Sequence, residues 1–158
     1  MSPAQDRPTR ADYVEWRRAT TRWRDDDAYG HLNNATYYEL FDTAVNAYLY
    51  EATGLQVRLL PQIGVVAETS CRYFREIGFP APIDMGLVVD KVGTSSIIYR
   101  IGLFQGGDGS PEEVAAAEGR FVHVYVDNTD PARPSTPMPD PIRAAVSKLL
   151  VSSQPAGE

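Results

Sequence analysis

The run Thr21–Ala44, TRWRDDDAYGHLNNATYYELFDTA, concentrates the chain's chemistry-bearing side chains. It sets a carboxylate (Asp27), a turn glycine (Gly30), an imidazole (His31) and two amides (Asn33, Asn34) directly before an apolar-periodic segment. If that segment is helical, its first backbone N–H groups have no partners within the helix and sit at the positive end of its dipole. Such a terminus can hold an anion or a developing oxyanion. A carboxylate beside it could attack an activated acyl carbon or draw a proton from water. Together these groups suffice to hydrolyse an activated acyl group. By composition alone the triple Asp (Asp25, Asp26, Asp27) also reads as a solvated turn.

Other hydrolytic and binding chemistries lack their signatures. The chain has no Gly-x-Ser-x-Gly elbow. Its two histidines, His31 and His123, are too far apart in sequence for a metal-binding pair, and His123 reads as an ordinary strand residue. Cys71 is the single cysteine, so no intrachain disulfide or cysteine-based zinc site can form, and it reads as a small buried hydrophobe.

The elements that must position the run are legible from periodicity. Tyr37, Leu40, Phe41, Ala44, Val45, Tyr48, Leu49 and Ala52 recur every three or four residues, which makes one helical face. Gly54 supplies the stop. Asn34 is the expected N-cap, with a Thr36–Glu39 capping box as the alternative. A charged first strand is expected over Tyr13–Trp23. After the helix the period becomes two, predicting strands from Val65 to about Ile77, Met85–Val92, Ser96–Phe104 and Val114–Val126. Gly93 and Thr94 predict a tight hairpin, and Gly106, Gly107 and Gly109 a looser one. Five prolines in 131–141 predict an extended connector, followed by a short helix over Ile142–Leu150. The organisation is then a flexible lead-in (1–12), one domain (13–130) and a proline-rich tail with its short helix (131–158). Residues 1 to about 10 and 152–158 are expected to be dispensable.

This order predicts an α+β domain, one long helix on a five-stranded antiparallel sheet. One helix covers a single face, so self-association is expected to hide the remaining edges. The 158 residues suit one domain. Fifteen basic against twenty-one acidic residues give a net charge of −6, which disfavours nucleic acid and anionic membranes as partners. No run approaches the roughly 20 apolar residues of a spanning helix. The polar start lacks the apolar stretch of a signal peptide, so a cytoplasmic setting is expected.

Asp25, Asp27, Gly30, His31, Asn33, Asn34 and Tyr37, with Phe41 and Ala44 on the helix, closely resemble the hotdog-fold thioesterases of the 4-hydroxybenzoyl-CoA thioesterase family. The resemblance covers roughly residues 13–130. It implies a curved sheet wrapped around the helix, and hydrolysis of an acyl-CoA to a free acid and CoA without metal or redox cofactor. It also implies a homodimer or homotetramer. By position it makes Asp27 the catalytic carboxylate and places the amide at Asn34 against the thioester carbonyl. His31, Asn33 and Tyr37 shape that site, and Asp42 contacts the acyl group in some members. The CoA nucleotide is implied near Lys91–Ser96, where no strongly basic cluster stands. Hotdog hydratases join their Asp and His through an Asn-Pro turn, which this chain lacks. An acyl-carrier-protein thioesterase and a non-catalytic acyl-binding dimer are the alternative readings.

Overall fold

The computed structural model describes residues 7–151. Five strands form one antiparallel sheet: β1 (Glu15–Ala19), β2 (Gln62–Tyr73), β3 (Ile83–Val92), β4 (Ser96–Phe104) and β5 (Ala117–Asp127). Their spatial order is β1-β3-β4-β5-β2. Two helices, α1 (Asn34–Thr53) and α2 (Asp140–Ser147), complete the fold.

The helical stripe turns inward as its spacing predicts. Tyr37, Phe41, Ala44, Val45, Tyr48 and Leu49 are buried, whereas Ala52, in the last turn, is exposed. They pack on Ile83, Met85, Leu87 and Val89 of β3 and on Ile97, Tyr99, Ile101 and Leu103 of β4. The helix lies close on β5 at Gly119, where an added Cβ would lie 2.4 Å from the Phe41 ring. Gly54 ends the helix in the left-handed region, φ 69°, and its N–H donates to the Tyr50 carbonyl at 2.9 Å. The N-cap is Asn33, one residue before the expected Asn34: its Oδ1 accepts the Ala35 N–H at 2.9 Å. The Thr36–Glu39 box does not form, because the Thr36 hydroxyl donates instead to the Asp25 carbonyl at 3.4 Å.

Long-range pairing moves the strand ends. The expected Tyr13–Trp23 strand shortens to β1, and residues Trp23–Asp25 form a single 3-10 turn. Strand β2 spans Gln62–Tyr73 rather than reaching Ile77, since both Phe74 and Arg75 amides turn to the Ala116 carbonyl. Strand β5 starts at Ala117, and Val114 pairs with Thr9 instead. The β4 span matches its expected bounds.

The proline-rich stretch leads to α2, which packs into the same core through Ile142, Ala145 and Val146. The Tyr48 hydroxyl donates to the Ala145 carbonyl at 2.6 Å and joins the two helices. Arg143 donates to the Gly93 and Thr94 carbonyls at 2.9 and 3.0 Å, closing the β3–β4 turn.

On the sheet's other face, Tyr13, Val88, Phe104 and Ala115 form a smaller cluster. Beside it, buried Glu118 accepts from Arg72 at 2.9 Å, from Arg100 at 3.1 Å and from the Tyr13 hydroxyl. Of the residues expected to be dispensable, 1–6 and 152–158 lie outside the described residues. Arg10 is not idle, since its guanidinium stacks 4.4 Å from the Trp16 ring and pairs with Asp84 at 3.2 Å.

Candidate active site

The three consecutive aspartates do three different jobs. Asp25 is buried and accepts from the Arg22 amide at 2.8 Å and its guanidinium at 2.8 and 3.1 Å. Those bonds from Arg22 hold the Asp25 carboxyl below its ordinary value. Asp26 accepts the Phe79 amide at 3.1 Å, tying the loop to the segment after β2. Asp27 is exposed, and its Oδ1 accepts the Tyr29 and His31 amides at 2.8 and 3.2 Å. Its Oδ2 meets no donor among the described residues.

The loop closes tightly around Asp27. The Asp27 N–H donates to the His31 carbonyl at 2.8 Å, and Gly30 turns the chain at φ 80°. Only a glycine adopts that angle without strain. The Asn33 amide donates to the Asp25 carbonyl at 2.8 Å and the Leu32 amide to the Ile77 carbonyl at 2.7 Å. The loop is thereby fixed to the start of α1 and to the chain beyond β2.

Asp27, His31, Asn34 and Tyr37 line one open depression of about 620 Å³. Tyr73, Arg75 and Glu76 form its opposite wall. His31 Nε2 lies 2.9 Å from Glu76 Oε2 and bridges the two walls. The Tyr73 hydroxyl donates to the Asn34 side chain, and the Tyr73 and Tyr37 rings meet edge to face with centroids 4.9 Å apart. Burial pushes the Tyr37 hydroxyl up to about 12, so it stays protonated. At the helix start, Asn33 engages the Ala35 amide with its side chain and the Thr36 amide with its carbonyl. The Asn34 amide finds no acceptor among the described residues. An acceptor-less N–H at the positive end of a 20-residue helix is a place for negative charge.

Not every expected site residue gathers here. Asn33 acts as the cap and does not line the depression. Asp42 lies two turns along α1, exposed and bonded to the Asn46 side chain at 2.8 Å, in a separate hollow with Glu39, Tyr50 and Arg58. Lys91–Ser96 form the β3–β4 turn, away from this wall. Tyr73 and Glu76 were not singled out by the sequence, though Tyr73 ends the alternating run that marks β2. Cys71 is half-buried, and desolvation pushes its thiol up to about 11, so it is not a ready nucleophile.

Residues 21–146 match the thioesterase-like superfamily. The chain belongs to that superfamily. Its fold agrees with a crystal structure of the PA5185 protein from Pseudomonas aeruginosa strain PAO1, at 43% identity and TM-score 0.85, covering 94% of this chain and 99% of that one. The PA2801 protein from Pseudomonas aeruginosa, a proposed thioesterase, is 29% identical with TM-score 0.72, covering 85% and 98%. A 1,4-dihydroxy-2-naphthoyl-CoA thioesterase from Synechocystis shares the fold at 14% identity and TM-score 0.73, over 85% and 96%. No curated protein matches the chain. The superfamily member described here has the hotdog fold, a five-stranded antiparallel sheet with a long helix on it. Membership supports thioester hydrolysis. Among the described residues, no helix is long and apolar enough to cross a membrane.

Proposed function

We propose that the protein hydrolyses acyl-CoA thioesters, with Asp27 as general base or nucleophile and the Asn34 amide as oxyanion donor. The observation that carries this reading is that Asp27, with one carboxylate oxygen that meets no donor, and Asn34, with a backbone N–H that meets no acceptor among the described residues, line one depression. A thioester carbonyl is already electrophilic, so the enzyme must supply an attacking group and a place for charge. As base, Asp27 takes a proton from water as the water oxygen bonds to the acyl carbon. Negative charge collects on the carbonyl oxygen, against the helix start. Collapse of that intermediate expels the CoA thiolate, which takes up the proton, and leaves the acid.

The same reading includes self-association. Strand β2 is a 12-residue edge with one neighbour, β5, and it ends at Tyr73 in the wall of the depression. Its outward residues include Val66, 46% exposed. Pairing two such edges hides them and brings a second subunit to the mouth of the site.

Thiol release measured over a panel of acyl-CoAs tests the proposal. Turnover that falls by roughly 10²–10⁴ in a folded Asp27→Asn variant supports it. Hydrolysis of acyl-carrier-protein substrates alone would redirect it, and binding without turnover would replace it.

A further inference from the structure

Gln105 is the first residue beyond β4, and its half-buried side chain reaches the stretch of chain between β2 and β3. Its Nε2 donates to the Gly78 carbonyl at 2.8 Å and to the Ala81 carbonyl at 2.9 Å, and its Oε1 accepts the Gly78 N–H at 3.1 Å. Two N–H groups face two carbonyls and the oxygen faces an N–H, so the partners fix which way the amide points. One side chain thus engages both backbone groups of Gly78, as a neighbouring strand would. The Gln105 carbonyl in turn accepts from the Arg75 guanidinium in the wall of the depression.

The Asp27 loop rests on the stretch that Gln105 grips. A Cβ added at Gly78 would sit 3.0 Å from the Gly30 carbonyl oxygen and 3.1 Å from Asp26 Oδ1, so this backbone lies directly against the loop. The Leu32 N–H reaches the Ile77 carbonyl at 2.7 Å, and the Phe79 N–H reaches Asp26 at 3.1 Å. The Thr21 hydroxyl donates to the Ala81 carbonyl at 3.0 Å, tying the chain that enters the loop to the same stretch. The sheet ladders do not hold residues 76–81, since they stop at Tyr73 and resume at Ile83. Among the described residues, the other hydrogen bonds of this stretch all run to residues 21–32. Loop and stretch therefore hold each other, and the Gln105 amide hydrogen-bonds the pair to the end of β4.

We propose that Gln105 is the positioning residue for Asp27: by gripping Gly78 and Ala81 it fixes where the loop presents the carboxylate to the depression. Removing the amide leaves the Asp27 bonds to Tyr29 and His31 intact, so the loop keeps its internal shape and loses its anchorage. It also strips both backbone groups of Gly78 of their partners, which favours displacement of the stretch toward water. A catalytic group misplaced by roughly 1 Å can cost about 10²-fold in rate. The expected effect on turnover rests on the thioesterase reading, whereas the mechanical link does not.

Amide hydrogen exchange followed by NMR on the full-length protein, compared with Gln105→Leu, tests the link. The Leu32 and Phe79 amides are expected to exchange at least tenfold faster in the variant, with the Val45 amide of α1 at the parent rate. Parent rates at Leu32 and Phe79 overturn the proposal. Equal acceleration at Val45 also overturns it, by making Gln105 a support of the whole fold. Acyl-CoA thiol release on the same samples tests the consequence: kcat should fall at least tenfold while KM moves less than threefold. An unchanged kcat overturns the proposal whatever KM does. A parent that releases no thiol refutes the hydrolase reading instead, and the exchange comparison alone then decides whether Gln105 holds the loop. Where Gln105→Leu does not fold, the parent decides: the Gln105 side-chain N–H protons should exchange at least tenfold more slowly than those of exposed Gln56. Equal rates there overturn the proposal.

Discussion

Asp27 Oδ1 accepts the Tyr29 backbone N–H at 2.8 Å, which fixes the carboxylate by one oxygen and leaves the other without a donor among the described residues. Asparagine in its place keeps the anchoring acceptor and loses the charge and basicity. Asp27→Asn is therefore expected to fold normally while kcat falls by roughly 10²–10⁴. Steady-state thiol release with thermal denaturation checks both halves. Full turnover in the folded variant would remove Asp27 from the mechanism.

Asp25→Asn should behave in the opposite way. Its carboxylate is buried and receives three N–H groups of Arg22, so the neutral amide loses charge-assisted bonds. A stability loss on the order of 1–3 kcal/mol is expected by urea denaturation. Activity per folded molecule should change less than in Asp27→Asn. A variant as stable as the parent would show that the Arg22 contact contributes nothing.

Gly119→Ala tests how closely α1 sits on the sheet. The new methyl would overlap the Phe41 ring, whose Cε2 would be 2.4 Å away. Helix or strand must shift, at about 1–3 kcal/mol. Because the same helix presents the Asn34 amide, turnover should fall with stability. An unchanged urea midpoint would mean that the ring moves aside at no cost.

Burial holds the His123 imidazole down to about 4, against 6.5 in an unfolded chain. The unfolded state therefore takes up a proton that the folded state refuses. The resulting stability is intact above about pH 6.5 and lost as pH falls toward 4, on the order of 3 kcal/mol in all. Asp25, held low by Arg22, adds its own loss only as pH falls below about 3.8. Urea midpoints at pH 7 and 4.5 should converge in His123→Phe. An unaltered pH slope in that variant would assign the acid sensitivity elsewhere.

Self-association through β2 makes Val66→Lys informative, since the residue is exposed on that edge strand. Charge on a pairing edge opposes strand addition. Sedimentation is expected to show the parent as at least a dimer and the variant shifted toward the 17.5 kDa monomer, with activity reduced. A fully active monomeric parent would end the edge-pairing reading.

The helix and the site loop were legible because their information is local. The Tyr37–Leu49 stripe needs only its own period, and Asp27, His31, Asn34 and Tyr37 lie within eleven residues of one another. Strand ends were not, because they depend on distant partners. Val114 pairs with Thr9, and Ala116 receives two amides from beyond β2. The far wall escaped for the same reason: Tyr73 and Glu76 reach the site only through the β2–β5 ladder. The aspartates, alike in sequence, diverge once Arg22 and Phe79 select among them.

Asp27, Tyr29 and His31 sit on an outlying loop and none of them belongs to the buried core. Tyr29 and His31 can therefore change with little penalty to folding, whereas Asp27 is held by its chemistry and Gly30 by its backbone angle. Tyr37 has no such latitude, because its ring is core and site wall at once. Substrate range in this lineage should evolve by exchange at Tyr29 and His31, while the tyrosine at the helix start stays fixed.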